Sequence, residues 1–538
     1  MTPEEAYAEV QKGFQAYGEQ RFAAAEGIAD NILSNLPEDP NGLYLKGICR
    51  RVATDFTTAL DLIQKACTIA PGVLSFRLAV GQVLSDMQRF EDAIACFRQL
   101  MTDFPDEVLP RIRLADLFLQ LGAVNEAVEA ADAGLFIDPD NHELHLLMAH
   151  VYDRQQDVNG MIYHADKALH KNEDWYDAIL IRARADILKK DYYAAINRLN
   201  KVTPPSEFQI CERSALLGDA FHQLKDYKRA MDAWDDGNKT ARNYVQEKYA
   251  QHQSAVNLDG VKRARHFFQT MAESGEVGRP ATNTAKSPIF LVGFPRSGVA
   301  MVDQLLSAHP NIDPSDQRNC FVPVIHEFGI SEESLQRFHE LTEEQLQALR
   351  DAYWERVNQS GMNLEDKIYI ERSPLGLTWL GLIGRLFPEA RVIIAVRDPR
   401  DTILATYQTN FDMNAAVFHL LDINEAAEYY DASLGAAYAG LKLCPGLQVH
   451  EVQFEQLLLN FEDQVTRLFH FLGIDVDPQS FNLGKSISTE GEDNTPSISL
   501  VNQLLYSSSV GKWQHYSEAL EPVDEILNPW IKRFGYTA

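Results

Sequence analysis

A glycine-bounded turn in the second half of the chain has the residue types that bind an anion. An apolar run, Pro288 to Val292, precedes the turn GFPRSG at 293–298, and the pattern from Val299 to Ser307 is helical. A strand, a turn of this kind and a helix together direct backbone N–H groups and a helix N-terminus at a phosphate. The spacing therefore predicts a phosphate-type site at this turn.

The cation in this turn is Arg296, which offers a planar fork of donors to an anion without a metal. A Walker loop would instead place lysine and a hydroxyl residue after its last glycine, to hold the terminal phosphates and magnesium. Val299 and Ala300 occupy those positions here. A magnesium-dependent kinase or nucleoside triphosphatase is therefore the least favoured class of protein, and no metal is expected.

Two further basic stretches follow along the chain. The stretch LFPEARVIIAVRDPRD at 386–401 is a strand pattern that leads into a basic turn at Arg397, and SVGKW at 509–513 contains Lys512. Together with FPRSG and the AHP triplet at 308–310, these landmarks resemble the sulfotransferase family, in particular its tyrosylprotein-type and bacterial repeat-linked branches. The resemblance covers residues 288–538. It implies a P-loop-like α/β domain with a parallel sheet and the donor 3′-phosphoadenylyl sulfate (PAPS).

The resemblance also implies roles for individual residues. Three turn residues would hold the 5′-phosphosulfate, Arg397 would bind the 3′-phosphate, and residues near the C-terminus would close over the nucleotide. Arg372 takes the position of the catalytic lysine of the tyrosylprotein branch. The nucleotide-binding candidates are Arg296, Ser297, Gly298, Arg397, Ser497, Gly511 and Lys512, and the catalytic candidates are Arg296, Arg372, Asp316 and His326.

Several positions depart from the family pattern. Where the family has hydroxyl residues, this chain has Val299, Ala300 and Ala405. Phe454 stands where the family has a tyrosine that faces the nucleotide, and Gln317 stands where the tyrosylprotein branch has its catalytic glutamate. Each lost hydroxyl contact to a phosphate removes about 1.5–3 kcal/mol of binding free energy. Loss of a general base costs about 10²–10⁴ in rate, because glutamine cannot accept the proton. Asp316 and His326 are the nearby groups that could replace the base.

The first half of the chain has an internal period of 34 residues. Three sets of positions recur together in seven copies: a small residue, an aromatic or apolar residue nine positions later, and a small residue or methionine three positions after that. The sets are Gly13, Gly47, Gly81, Ala115, Ala149, Ala183 and Gly218; Phe22, Phe56, Phe90, Val124, Val158, Tyr192 and Tyr227; and Ala25, Ala59, Ala93, Ala127, Met161, Ala195 and Ala230. Small residues at this spacing predict pairs of closely packed helices.

This pattern resembles the tetratricopeptide repeat over residues 4–255. The fold expected is an α-solenoid followed by an α/β P-loop-like parallel-sheet domain. The expected domains are a repeat superhelix of about seven units at 4–255, a capping helix and linker at 256–287, and a sulfotransferase-fold domain at 288–538. Such arrays bind a peptide or protein on their concave face. The alternative is a repeat array that only supports the domain behind it.

Composition limits the partners. The 538 residues have a net charge of -28, which disfavours general binding of nucleic acid or anionic membrane. The six cysteines form no CxxC pair, the N-terminal residues lack the apolar core of a secretory signal, and the apolar runs are too short for a membrane span. A cytoplasmic protein is expected.

The sequence leaves two functions open. The first is transfer of a sulfuryl group from PAPS to an acceptor hydroxyl of a peptide or glycan, with protein binding by the repeat array. The alternative is a catalytically impaired pseudoenzyme that uses the repeats as an interaction scaffold. The replaced residues Val299, Ala300, Ala405 and Gln317 favour the alternative, whereas the cations Arg296, Arg397 and Lys512 favour the enzyme.

Overall fold

A computed structural model describes most of the chain. The described residues are 2–250, 254, 256–275, 287–313, 320–321, 331–359, 367–476 and 509–537. The chain divides into two compact units, Met1–Lys189 and Lys190–Ala538. In the described residues no helix is both long and apolar enough to span a bilayer.

The first unit consists of helices in the described residues. They alternate in the order that the 34-residue period predicts, and the second helix of each pair begins at the predicted aromatic or apolar residue. The helices are α1 Pro3–Gly18, α2 Phe22–Asn35, α3 Pro40–Val52, α4 Phe56–Ile69, α5 Leu74–Asp86, α6 Phe90–Asp103, α7 Leu109–Gln120, α8 Val124–Ile137, α9 His142–Arg154, α10 Val158–Lys171 and α11 Tyr176–Leu188.

Close packing explains why small residues recur in these helices. A Cβ atom on Gly47 would lie 2.5 Å from the side chain of Ile63, and one on Gly81 would lie 2.4 Å from the ring of Phe97. The small residue of the second helix, for example Ala93, is fully buried. The predicted helical repeat fold is therefore confirmed, and its core depends on positions that admit no larger side chain.

The turn between the two helices of a pair has a feature that the sequence pattern did not reveal. Five positions before each buried small residue or methionine, the backbone has a positive φ, although only one of these residues is glycine. The residues are Gln20, Thr54, Gln88, Gly122, Gln156, Lys190 and Lys225. The left-handed conformation ends the first helix and lets the chain reverse.

The second unit contains the last repeat helices and an α/β domain. Its first helices are α12 Tyr192–Asn200, α13 Glu207–Gln223, α14 Tyr227–Tyr249 and α15 Leu258–Ser274. The elements that follow are β1 Ile289–Gly293, α16 Val299–Ser307, α17 Glu332–His339, α18 Glu343–Gln359, β2 Ile370–Arg372, a 3-10 helix Pro374–Trp379, α19 Leu380–Leu386, β3 Arg391–Val396, α20 Pro399–Tyr407, α21 Val417–Leu420, α22 Ile423–Leu443, β4 Gln448–Gln453, α23 Phe454–Leu459, α24 Phe461–Phe471, a 3-10 helix Lys512–Tyr516, α25 Ser517–Leu520, a 3-10 helix Glu521–Val523 and α26 Asp524–Arg533.

The four described strands form one parallel sheet in the order β2-β1-β3-β4. Alternate residues of β1 face two different apolar clusters: Phe290 belongs to one, and Leu291 to the other. The sheet is therefore covered on both faces, as parallel sheets require. Because Gly293 pairs with Ala395, the loops after β1 and β3 leave the same edge of the sheet side by side. The predicted parallel α/β fold is confirmed, whereas the predicted domain boundaries stay a prediction.

Candidate active site

The turn after β1 has an unusual backbone. Arg296 has a φ of 67° and Gly298 a φ of 101°, and the Ser297 N–H donates to the carbonyl oxygen of Phe294 at 3.0 Å. Glycine adopts the left-handed region without strain, whereas arginine adopts it at a cost in free energy, as the non-glycine residues of the repeat turns do. A Cβ at Gly298 would lie 2.9 Å from the ring of Phe454, so the turn also requires glycine for space.

This turn presents donors that the described residues leave unsatisfied. Ser297 is only 3% exposed, and its Oγ has no hydrogen-bond partner in the described part of the chain. Helix α16 begins after Gly298 without a side-chain cap. The first N–H groups of an uncapped helix are natural ligands of an anion, and the helix dipole adds to the attraction.

Arg397 comes directly after β3 and lies against this turn. Its guanidinium donates to the carbonyl oxygen of Ser509 at 2.7 Å and to that of Arg296 at 3.3 Å. The guanidinium carbon is 5.0 Å from the centre of the Phe454 ring. Arg397 is 5% exposed, and its Nε has no hydrogen-bond partner among the described residues. This predicted cation is thus buried, and its Nε–H is available to donate to a ligand.

Asp401, which the sequence reasoning missed, holds the segment that contains Lys512. Its carboxylate accepts from the backbone N–H of Gly511 at 2.7 Å and from that of Trp513 at 2.8 Å. Burial raises the pKa of Asp401, and the nearby Arg397 counteracts that shift. The only indication in the sequence was its position four residues after Arg397, in the first turn of α20.

Lys512 is the third predicted cation at this edge. Its Nζ donates to Oε1 of Gln408 at 2.7 Å and lies 5.5 Å from the centre of the Trp234 ring. Burial lowers the pKa of Lys512 to about 8, and the positive charges of Arg397 and Arg296 lower it further. That electrostatic effect requires proximity, so the structure brings Arg296, Arg397 and Lys512 to one place.

Arg372 lies elsewhere. It is the last residue of β2 and only 4% exposed, and it forms an ion pair with Asp303 in α16. Its guanidinium also donates to Oγ of Ser307 at 2.9 Å and to the carbonyl oxygen of Asp313 at 3.3 Å. These contacts tie β2 to the far end of α16, whereas the anion turn precedes the start of that helix.

Three predicted site residues, Asp316, His326 and Ser497, lie outside the described residues, as does Gln317. A short described piece, Cys320 and Phe321, lies between the two stretches with the candidate bases. The Phe321 N–H donates to the carboxylate of Glu371 at 3.0 Å. Burial raises the pKa of Glu371 while this bond and those from Tyr353 and Tyr369 lower it. Glu371 therefore fixes the backbone of Phe321.

The neighbours of two replaced positions pack against the turn and the sheet. Thr406, next to Ala405, is buried, and its hydroxyl donates to the carbonyl oxygen of Pro295 at 3.1 Å. Val299 packs against the apolar cluster on one face of the sheet. The Thr406 hydroxyl thus supports the anion turn from the side of α20.

Comparison with known proteins agrees with this architecture. Residues 288–478 match the model of the sulfotransferase family, and residues 84–151 match a model of the tetratricopeptide repeat. The chain therefore combines a tetratricopeptide-repeat region with a sulfotransferase-family domain that follows it. The family match begins just before β1 and ends before Lys512, so it includes Arg296 and Arg397 but not the segment that Asp401 holds.

Relatives are distant. An uncharacterized protein of Aquifex aeolicus is 25% identical to this chain over 59% of the chain. The matched region spans 41% of that protein's length. Protein-tyrosine sulfotransferase A of Caenorhabditis elegans is 21% identical over 55% of this chain and 80% of its own length. A crystal structure of a thermophilic tetratricopeptide-repeat protein from Thermus thermophilus is 18% identical, with a TM-score of 0.31, and covers 34% of this chain and 99% of its own.

Proposed function

We propose that residues 288–538 bind PAPS and transfer its sulfuryl group to an acceptor hydroxyl of a peptide or glycan. The observation that supports this proposal is the position of three cations, Arg296, Arg397 and Lys512, beside an uncapped helix start. Asp401 lies 4.0 Å from the guanidinium of Arg397 and offsets part of the repulsion within this cluster, and an anionic ligand would offset the rest.

The donor groups fit a nucleotide that carries several anionic groups. The Ser297 Oγ and the Arg397 Nε are buried and have no described partner, and an unpaired buried donor costs about 1–3 kcal/mol. In the proposal, Ser297, Gly298 and the start of α16 hold the 5′-phosphosulfate, and Arg397 holds the 3′-phosphate. Gly511 and Lys512 close over the nucleotide, together with Ser497.

When bound, the donor supplies the sulfuryl group. The bond between its sulfur and the phosphate oxygen breaks as a bond from sulfur to the acceptor oxygen forms. Adenosine 3′,5′-bisphosphate leaves, and the acceptor proton passes to a base of the chain. Arg296 and the backbone N–H groups of the turn offset the charge that grows on the leaving phosphate. Asp316 and His326 are the proposed bases. Arg372 is proposed to position α16 rather than to touch the donor.

Two observations favour the alternative, a pseudoenzyme. Arg372, which corresponds to the catalytic lysine of the tyrosylprotein branch, is buried in an ion pair with Asp303. Val299, Ala300 and Ala405 also lack the hydroxyls that the family pattern expects. The sulfotransferase-fold domain would then bind the nucleotide without turnover, and the repeat region would bind a protein or peptide on its concave face.

We place the protein in the cytoplasm. All six cysteines lie in the described residues and are free thiols. Burial raises the pKa of Cys49, Cys67 and Cys211 to about 11, which keeps these thiols protonated and unreactive. Free thiols of this kind suit a reducing compartment.

Titration calorimetry with adenosine 3′,5′-bisphosphate in magnesium-free buffer tests the nucleotide site. Arg397→Ala is expected to weaken binding at least tenfold, because a buried charge-assisted contact contributes about 1.5–3 kcal/mol. Arg467→Ala, which removes an exposed arginine of the same unit, is the matched control and is expected to bind as wild type. Folded wild-type protein that takes up no ligand at millimolar concentration would refute the proposal.

A turnover assay separates the two functions. Donor labelled with radioactive sulfate is incubated with tyrosine-containing peptides and with glycans, and transfer to either acceptor supports the enzyme. Nucleotide binding that depends on Arg397, without transfer to any acceptor of these two classes, supports the pseudoenzyme instead.

A further inference from the structure

We propose that the last helix pair of the repeat region, α13 and α14, is a working part of the nucleotide site. In this proposal, which rests on the proposed function, the pair holds residues 509–516, the closing segment, where Lys512 meets the nucleotide. The family match ends at residue 478 and begins at 288, so it includes neither the helix pair nor the closing segment.

Aromatic contacts join the helix pair to the closing segment. His222 Nδ1 forms a hydrogen bond with the Tyr516 hydroxyl at 2.7 Å. The rings of Tyr227 and His515 are stacked, with centres 4.3 Å apart and planes 7° from parallel. Contacts of both kinds depend on fixed orientation, so they determine where the closing segment lies.

The same helix pair contacts the predicted cation itself. Lys512 lies over the ring of Trp234, with 5.5 Å between Nζ and the ring centre. Trp234 is in turn fixed by the repeat core, because a Cβ at Gly218 would lie 2.2 Å from its Nε1. The close helix packing of the repeat therefore sets the position of the surface on which the lysine rests.

A second set of contacts connects α14 with α20, which carries Asp401. The Tyr407 hydroxyl donates to Asp235 at 2.7 Å, and the Asn238 amide donates to the carbonyl oxygen of Tyr407 at 2.8 Å. Asp401 of α20 holds the backbone of Gly511 and Trp513. The closing segment is therefore held by α20 on one side and by the repeat helices on the other.

This arrangement links the repeat to nucleotide affinity. A segment that is already in place when the nucleotide arrives loses less conformational entropy on binding, so affinity increases. Movement of α14 would shift Lys512 and the closing segment together. By reciprocity, a bound nucleotide should also stabilise α13 and α14.

The test uses the full chain and adenosine 3′,5′-bisphosphate. The double variant Tyr227→Ala/Tyr516→Phe removes the ring stack and the hydrogen bond, and its affinity is expected to fall about tenfold. Tyr192→Ala is the matched control, since Tyr192 begins α12 as Tyr227 begins α14. That control is expected to bind as wild type. Thermal unfolding of each variant reports whether it is folded.

The outcomes separate this inference from the proposed function. In one outcome, wild type binds the nucleotide, Arg397→Ala does not, and the double variant binds as wild type does. The inference is then wrong, and the proposed function stands. If wild type does not bind, both are wrong. A second measurement decides the case in which the double variant does not fold. In wild type, the nucleotide should slow amide hydrogen exchange in residues 227–249, and unchanged exchange there would overturn the inference.

Discussion

At the scale of single residues, Lys512 is a group of the candidate anion site whose charge changes near pH 8. Burial lowers the pKa of its ammonium group to about 8, and the neighbouring charges act in both directions: Arg397 and Arg296 lower the pKa, whereas Asp219 and Asp401 raise it. A bound anion reverses this effect, because it favours the protonated form. In the proposed site, nucleotide binding is therefore expected to be coupled to proton uptake above this pKa.

This coupling predicts a pH-dependent affinity. Below pH 7 the lysine is already protonated in the free protein, whereas at pH 9 it is mostly neutral and a proton must be taken up. The affinity for adenosine 3′,5′-bisphosphate is expected to be about tenfold weaker at pH 9 than at pH 7. Calorimetry in this range measures it, at pH values where the phosphates of the ligand are already ionised.

The control is Lys512→Arg, which keeps the positive charge at every pH in the range. Its affinity should be nearly independent of pH. If wild type and Lys512→Arg show the same pH profile, the lysine does not contact the anion.

The sequence alone indicated the cations of the candidate site but not their partners. Arg296, Arg397 and Lys512 were found because they occur in short motifs. The roles of Asp401 and Gln408 depend on contacts with residues more than a hundred positions away, such as the bond from Lys512 to Gln408. No local pattern records such a pairing. The burial of the Arg397 side chain likewise depends on the fold rather than on its motif.

At the scale of helices and strands, the fold was predictable because its causes are local. The helices follow from small residues at fixed spacing, and β1 and β3 follow from short apolar runs buried on both faces. The contacts between α13–α14 and the closing segment were not predictable. His222 and Tyr516, for example, are 294 residues apart in sequence and give no common pattern.

The close helix packing of the repeat leads to a prediction about stability. In Gly81→Val, the added Cβ would lie 2.4 Å from the ring of Phe97, which is buried in the repeat core. Overpacking of this kind costs about 1–3 kcal/mol. Amide hydrogen exchange in residues 74–103 should become faster, and the thermal transition of the first unit should shift to lower temperature.

Gly72→Val is the matched control, because Gly72 is exposed and a Cβ atom there would have no other atom within 4 Å among the described residues. It should leave exchange in residues 74–103 unchanged. If both variants behave as wild type, the repeat core tolerates a larger residue and the packing argument for the 34-residue period fails.

At the scale of the whole molecule, the matched family domain and the folded unit have different limits. The family match begins at residue 288, whereas the compact unit begins at Lys190. The difference includes α15, whose apolar face belongs to the main core of the α/β domain. A Cβ at Gly381 would lie 2.5 Å from the ring of Phe268, and Lys262 forms an ion pair with Glu428 at 2.5 Å.

A fragment that begins at residue 288 is therefore expected to misfold, whereas a fragment of residues 190–538 is expected to fold. Five large side chains of α15 are buried in this core: Leu258, Val261, Phe267, Phe268 and Met271. At about 1.5–3 kcal/mol each, their loss removes about 7–15 kcal/mol, which equals the whole stability of a typical domain. Circular dichroism and thermal unfolding of the two purified fragments measure this difference. A cooperative transition in the shorter fragment would show that the domain folds without α15. A cooperative transition in the longer fragment alone would show that the α/β domain needs helices that precede residue 288.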